Sequence, residues 1–150
     1  MTRKMIILAT ALACAVAAQA GERGTPAEAK AMLEKAVSYY KAVGRKQALA
    51  DFTAKKAPFS DRDLYVFCIS PDRLMVANGG YPSFVGQSVD LLKDAHGKAL
   101  GKTLMDAATS SEIGVVGYPH INPVSHKPEA KVSFIQKVGE DVCGVGAYKE

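Results

Sequence analysis

Apolar residues recur three and four apart from Met32 onward: Met32, Leu33, Ala36, Val37, Tyr40 and Val43 fall on one side of a helix. Thr25-Pro26-Ala27-Glu28 supplies the start, with a capping threonine, a proline at the first helical position and a glutamate that completes a capping box. Gly44 stops the run. The pattern predicts a helix over about 26–43 whose single apolar stripe needs a flat partner. A shorter helix follows, roughly Arg45 to Phe52, turning Ala48, Leu49 and Phe52 inward. At Asp63 the period changes. Leu64-Tyr65-Val66-Phe67-Cys68-Ile69 is a near-continuous β-branched and aromatic run, which suits a strand covered on both faces. Ser70-Pro71-Asp72-Arg73 is a turn, and Leu74–Ala77 a second strand, ended by Asn78-Gly79-Gly80.

Residues 81–97 read as a loop with helical turns, holding Phe84, Val85, Leu91 and Leu92 as core plugs. Leu100, Leu104, Met105 and Ala108 mark a helix over about 98–109. Three strands follow, at 112–118, 130–138 and 141–148, with Glu140-Asp141 at a tight turn between the last two. Strand and helix do not alternate, so the order argues against a doubly wound parallel sheet. The order predicts an α+β domain: one antiparallel sheet of about five strands, with the long N-terminal helix on one face. The helical excursion and the loop 119–129 close over the other.

The front of the chain stands apart. Arg3 and Lys4 precede an apolar run from Met5 to about Val16, and Ala18-Gln19-Ala20 gives the small-x-small cleavage pattern. The run is too short to span a bilayer, so residues 1–20 read as a secretory signal peptide and 21–150 as a single domain. Cys14 is a small apolar residue of that signal. Cleavage removes two basic residues and lowers the formal charge from +4 to +2. That bias is too weak for nucleic acid or an anionic membrane, and no basic cluster is interleaved with aromatics. A periplasmic or secreted location follows. Cys68 and Cys143 remain, and an oxidising compartment admits either a disulfide or two thiols packed as small hydrophobes.

Catalytic chemistry finds no foothold. Ser125 and Ser133 lack the Gly-x-Ser-x-Gly elbow, and the cysteines have neither a neighbouring histidine nor Cys-x-x-Cys spacing. Gly144 and Gly146 are followed by no helix and so form no dinucleotide loop; they are expected to allow close helix–sheet packing. The carboxylates Asp61, Asp63, Asp72, Glu112, Glu129, Glu140 and Asp141 fall at turns and strand ends and read as solvated surface. His120 and His126, six apart in a proline-rich stretch with Glu129 nearby, lack the close spacing of a zinc site. No metal or cofactor is expected.

The element order, with the residues that punctuate it, resembles the single Cache domain family of the second type, PAS-like extracytoplasmic sensor modules. The resemblance runs over nearly all of 25–149. It is carried by Asp63–Phe67, Asn78-Gly79-Gly80, Val85-Gly86-Gln87, Leu92–Lys98, Asn122-Pro123, Lys127, Lys131, Ser133-Phe134 and Gly144–Lys149. It implies that the first and last long strands lie side by side at the centre of the sheet, which would let Cys68 and Cys143 meet as a disulfide. The chain departs from the family in having no tryptophan around Gly114–His120, where His120 replaces an aromatic wall residue.

A sheet face roofed by crossover segments is the usual setting for a small-molecule site with apolar walls and a few polar groups. Candidate walls are Tyr65, Phe67, Met75 and Tyr118; candidate polar groups are Asn78, His120, Lys131 and Ser133. Tyr118 and His120 are two apart, so an extended backbone points them to one face. Lys131, entering a strand beside Val132 and Phe134, is costly to bury without an anion, and a small carboxylate would supply one. The resemblance implies the same ligand class, small organic acids or similar polar metabolites. The 150 residues carry no kinase, methyl-accepting or DNA-binding output, so a separate output such as a membrane receptor or transporter is expected. The rival readings are an interaction scaffold that binds no small ligand and forms a homodimer through the N-terminal helix, and a redox protein using the two cysteines.

Overall fold

The structure, a computed structural model, describes residues 23–149; the signal-peptide reading of residues 1–20 lies outside them. Helix α1 runs Pro26–Val43 and α2 Arg45–Thr53. The start of α1 is the predicted capping box: the Thr25 hydroxyl accepts from the Glu28 N–H at 3.2 Å, and the Glu28 carboxylate accepts from the Thr25 N–H at 2.7 Å. Six strands follow: β1 Ser60–Asp61, β2 Leu64–Ile69, β3 Met75–Asn78, β4 Gly114–Ile121, β5 Pro128–Val138 and β6 Asp141–Tyr148. A short helix, α3, spans Gly101–Asp106 between β3 and β4, and two 3-10 turns precede it. All the pairings are antiparallel. The strands run in the order β1-β2-β6-β5-β4, with β3 also on β2. The sixth strand beyond the expected five is β1, a two-residue pairing at the start of β2.

Every residue of β2 is buried, because the sheet carries a core on each face. Successive side chains alternate sides. Leu64, Val66 and Cys68 join α1, α2 and the Val145/Ala147 face of β6. Tyr65, Phe67 and Ile69 join the opposite core with Met75, Val116 and Ile135. On the helix side, α1 lies across β6, β5 and β2 and buries Ala29, Met32, Leu33, Ala36, Val37 and Tyr40. Each of its large apolar side chains contributes roughly 1.5–3 kcal/mol by leaving water. Its C-terminal end is pinned through Asp141, which accepts from the Tyr40 hydroxyl at 2.7 Å and from Arg45 Nε at 2.8 Å.

Strand β6 sits between β2 and β5 at the centre of the sheet, as the resemblance implies. Cys68 and Cys143 are directly opposite in the β2–β6 register and form a disulfide, with Cα atoms 4.1 Å apart. Three expectations are corrected. Asp63 and Asp141 are not solvated: both are buried, because each satisfies neighbouring donors inside the fold. The turn before β6 uses Gly139 in a left-handed conformation (φ 58°) with Glu140, and Asp141 already belongs to the strand. Beyond the sheet, Val85 and Leu91 are exposed rather than core plugs, since the 3-10 turns aim Val89 inward in their place.

Candidate functional site

Strand alternation decides which residues face away from α1. On β2 these are Tyr65 and Phe67; on β5, Lys131 and Ser133; on β4, Tyr118 and His120; on β6, Gly144, Gly146 and Tyr148. The two glycines therefore do not serve helix–sheet packing. They leave a furrow on the opposite face that larger neighbours cross. A Cβ at Gly146 would lie 2.3 Å from Lys131 Cε and 2.4 Å from Ser133 Oγ, and one at Gly144 would lie 2.6 Å from the Phe67 ring. Gly146 is thus what allows the Lys131 side chain to run inward over β6.

Lys131 is 2% exposed. Its Nζ donates to the Tyr65 hydroxyl at 2.7 Å and to the Tyr148 hydroxyl at 3.4 Å, and lies 4.2 and 4.6 Å from the centroids of those two rings. Among the described residues no carboxylate comes within ion-pairing distance. Burial pushes the amine from 10.5 down to about 7, while the charge of Asp63 pulls weakly the other way. Asp63 is itself committed, accepting from the Gly24 N–H at 2.7 Å and the Asn122 amide at 3.3 Å.

Neutral donors surround the amine. Burial raises the Tyr65 and Tyr148 phenols and pushes Tyr118 up to about 12, so all three stay protonated near neutral pH. The Tyr118 hydroxyl is 2.8 Å from that of Ser133, which is wholly buried beneath it. His120 is lowered to about 4, first by burial and then by the charge of Lys131. It is neutral, and because its Nδ1 lies 2.9 Å from the Ile121 carbonyl, that nitrogen carries the proton. Asn78 uses its carbonyl to hold the turn after β3, accepting from the Gly80 and Tyr81 N–H groups at 3.0 and 2.7 Å. Among the described residues its amide meets only the Met75 sulfur, at 3.8 Å.

Seven of the eight predicted residues line one chamber: Tyr65, Phe67, Met75, Asn78, Tyr118, His120 and Lys131. Ser133 lies under its floor. The roof is Phe84, Leu92, Leu100 and Leu104, from the excursion between β3 and β4. The chamber has a volume of about 20 Å³, room for about one water. A larger pocket of about 340 Å³ adjoins it, and Met75, Phe84, Leu92 and His120 line both.

A family model described as "Single Cache domain 2" matches residues 13–148. The chain belongs to the single Cache domain 2 family. Its fold recurs in solved structures. A methyl-accepting chemotaxis protein from Vibrio parahaemolyticus RIMD 2210633 is 22% identical with a TM-score of 0.65, covering 81% of this chain and 86% of that one. The periplasmic sensor domain of a chemotaxis protein is 22% identical (TM-score 0.61; 81% and 88% covered). A Cache chemosensory domain, described for its recognition of carboxylic acids, is 20% identical (TM-score 0.58; 81% and 86% covered). None of the curated proteins matches the chain.

In this Cache domain the proline-rich stretch between His120 and Lys131 is a hairpin whose turn is organised by Asn122. Its buried side-chain carbonyl accepts from the Val124 N–H at 2.8 Å, and its main-chain carbonyl accepts from the His126 N–H at 2.8 Å. Pro119 lies within β4, an edge strand that tolerates a missing donor, and Pro128 opens β5. His126 is exposed on the turn at φ 58°, and Glu129 is held by Arg23, Ser125 and Asn122. Sequence reasoning missed Tyr148, the second hydroxyl at the lysine, although it stands two residues beyond Gly146 on the same face. It also missed Tyr81, which stacks on Phe84 at 5.1 Å and meets His120 edge-on at 5.7 Å.

Proposed function

We propose that this Cache domain is an extracytoplasmic sensor whose ligand is a small carboxylate held at Lys131, and that it signals through a separate output protein. One observation carries the reading: an amine is sealed inside the fold with phenol partners and, among the described residues, no carboxylate within ion-pairing distance. Placing a lysine there costs folding free energy, and a bound carboxylate offsets that cost by restoring the charged ammonium. Tyr65 can turn its hydroxyl hydrogen to the same anion and the Asn78 amide is a second donor, whereas the Tyr148 hydroxyl donates to the Ile121 carbonyl at 2.9 Å and would have to exchange that bond to join them. The chamber holds about one water. Entry of a carboxylate is therefore coupled to outward movement of the roof, which is the structural change a sensor needs.

Thermal shift of the purified protein against a panel of organic acids tests this. A true ligand at 100 times its dissociation constant adds roughly 2.7 kcal/mol of stability, and Lys131→Ala abolishes the shift. A panel without a hit, or an anionic hit that binds Lys131→Ala equally well, refutes the site. For the output, a membrane receptor or transporter should be recovered in pull-downs from membranes in a ligand-dependent amount. Recovery of none, with and without ligand, counts against it.

A further inference from the structure

Among the described residues the chamber wall is least buried on one side. The chamber residues Tyr65, Phe67, Met75, Asn78, Leu100, Leu104 and Lys131 are all below 5% exposure, whereas Phe84, Leu92, Tyr118 and His120 are half-buried. Three of those four also line the 340 Å³ pocket. The route from solvent to Lys131 therefore runs through that pocket, and Met75, buried and shared by both spaces, stands at the join. An unbranched thioether with three rotatable bonds is suited to shift aside there.

The pocket is mostly apolar, with Gln87, Ser88, Lys93 and Asp94 as its polar part. Tyr81 and Phe84 stack along one wall, and two apolar residues at its edge stay open to solvent, Leu91 at 75% and Ile121 at 40%. A dry cavity of roughly 150 Å³ accepts benzene; this one is about 340 Å³, while the chamber at about 20 Å³ takes no ring. We infer that the ligand spans both spaces: its carboxylate sits at Lys131, and an apolar tail, aromatic or branched and of about six carbons, fills the outer pocket. This rests on the carboxylate reading above and narrows it from organic acids in general to monocarboxylates with a substantial hydrophobic end.

Calorimetric titration of the full chain with acetate, butanoate, hexanoate and phenylacetate tests the inference, with phenylacetamide as the uncharged control. Affinity should rise about fourfold for each methylene that leaves water, and phenylacetamide should bind far more weakly than phenylacetate. Ala95 and Gln87 line the outer pocket and not the chamber. Ala95→Trp and Gln87→Trp, which fill the outer pocket, should each erase the gain with chain length; two separate variants guard against one failing to fold. If acetate binds but hexanoate and phenylacetate bind no tighter, the tail assignment is overturned and the carboxylate site stands. A gain that survives both tryptophans overturns the tail assignment in the same way. If no acid binds the unmodified protein, both readings fall.

Discussion

Replacing Lys131 by methionine should stabilise the ligand-free protein under mildly acidic conditions, the reverse of what removing a fully hydrogen-bonded core residue ordinarily does. The unfolded chain keeps the Lys131 proton up to about pH 10.5, whereas the folded chain releases it near 7. Between those values unfolding takes up a proton, so wild-type stability rises with pH by up to about 1.4 kcal/mol per pH unit. Below pH 7 the folded state carries the full cost of a charged amine in the chamber. The drop from 10.5 to about 7 corresponds to about 5 kcal/mol. Lys131→Met carries no such cost, and its unbranched side chain fits the furrow over Gly146. Urea denaturation at pH 6, 7, 8 and 9 reads the difference. The variant should be the more stable at pH 6, with the gap narrowing steadily as pH rises. A variant that is less stable at pH 6, with a gap independent of pH, would show that the amine is solvated or ion-paired and would remove the physical basis of the anion site.

The same ionisation governs binding: affinity for a carboxylate should be constant below about pH 7 and fall by up to tenfold per unit above it. At pH 8 binding should take up about 0.9 proton per ligand, read by calorimetry in buffers of differing ionisation heat; a flat pH profile with no uptake contradicts this. Gly146→Ala should destabilise by about 1–3 kcal/mol and abolish acid binding, because its Cβ would lie 2.3 Å from Lys131 Cε; unchanged denaturation and titration curves would refute the furrow. Reducing the Cys68–Cys143 bond, which closes a 75-residue separation, should lower stability by roughly 4 kcal/mol in urea. Equal midpoints with and without reductant would contradict that figure.

How far the sequence discloses this molecule varies with the kind of signal. Helix α1 and its cap are legible because three independent local features, periodicity, capping box and Gly44, agree. Strand β2 is legible because a six-residue β-branched and aromatic run has only a doubly covered strand to go to. Lys131 stands out as a cation among apolar neighbours in a strand. The direction of the glycines is not legible, since a glycine has no side chain to mark its face; only the register with Cys143 shows that they point away from α1. Tyr148 is within reach of the same alternation. The outer pocket is not, because it is assembled from residues 81–95, whose backbone follows neither period, and its depth depends on which of Val89 and Leu91 turns inward. The burial of Asp63 and Asp141 depends on partners as distant in the chain as Asn122 and Tyr40.

The bond between Cys68 and Cys143 has a mechanical consequence. Antiparallel strands can in principle slide in steps of two residues, about 7 Å, and keep their pattern of sidedness. A covalent rung between directly opposed positions of β2 and the central strand β6 forbids that shear between them. With β2 and β6 held in register, any displacement on ligand entry is expected in the segment joining β3 to β4 and in the β4–β5 hairpin.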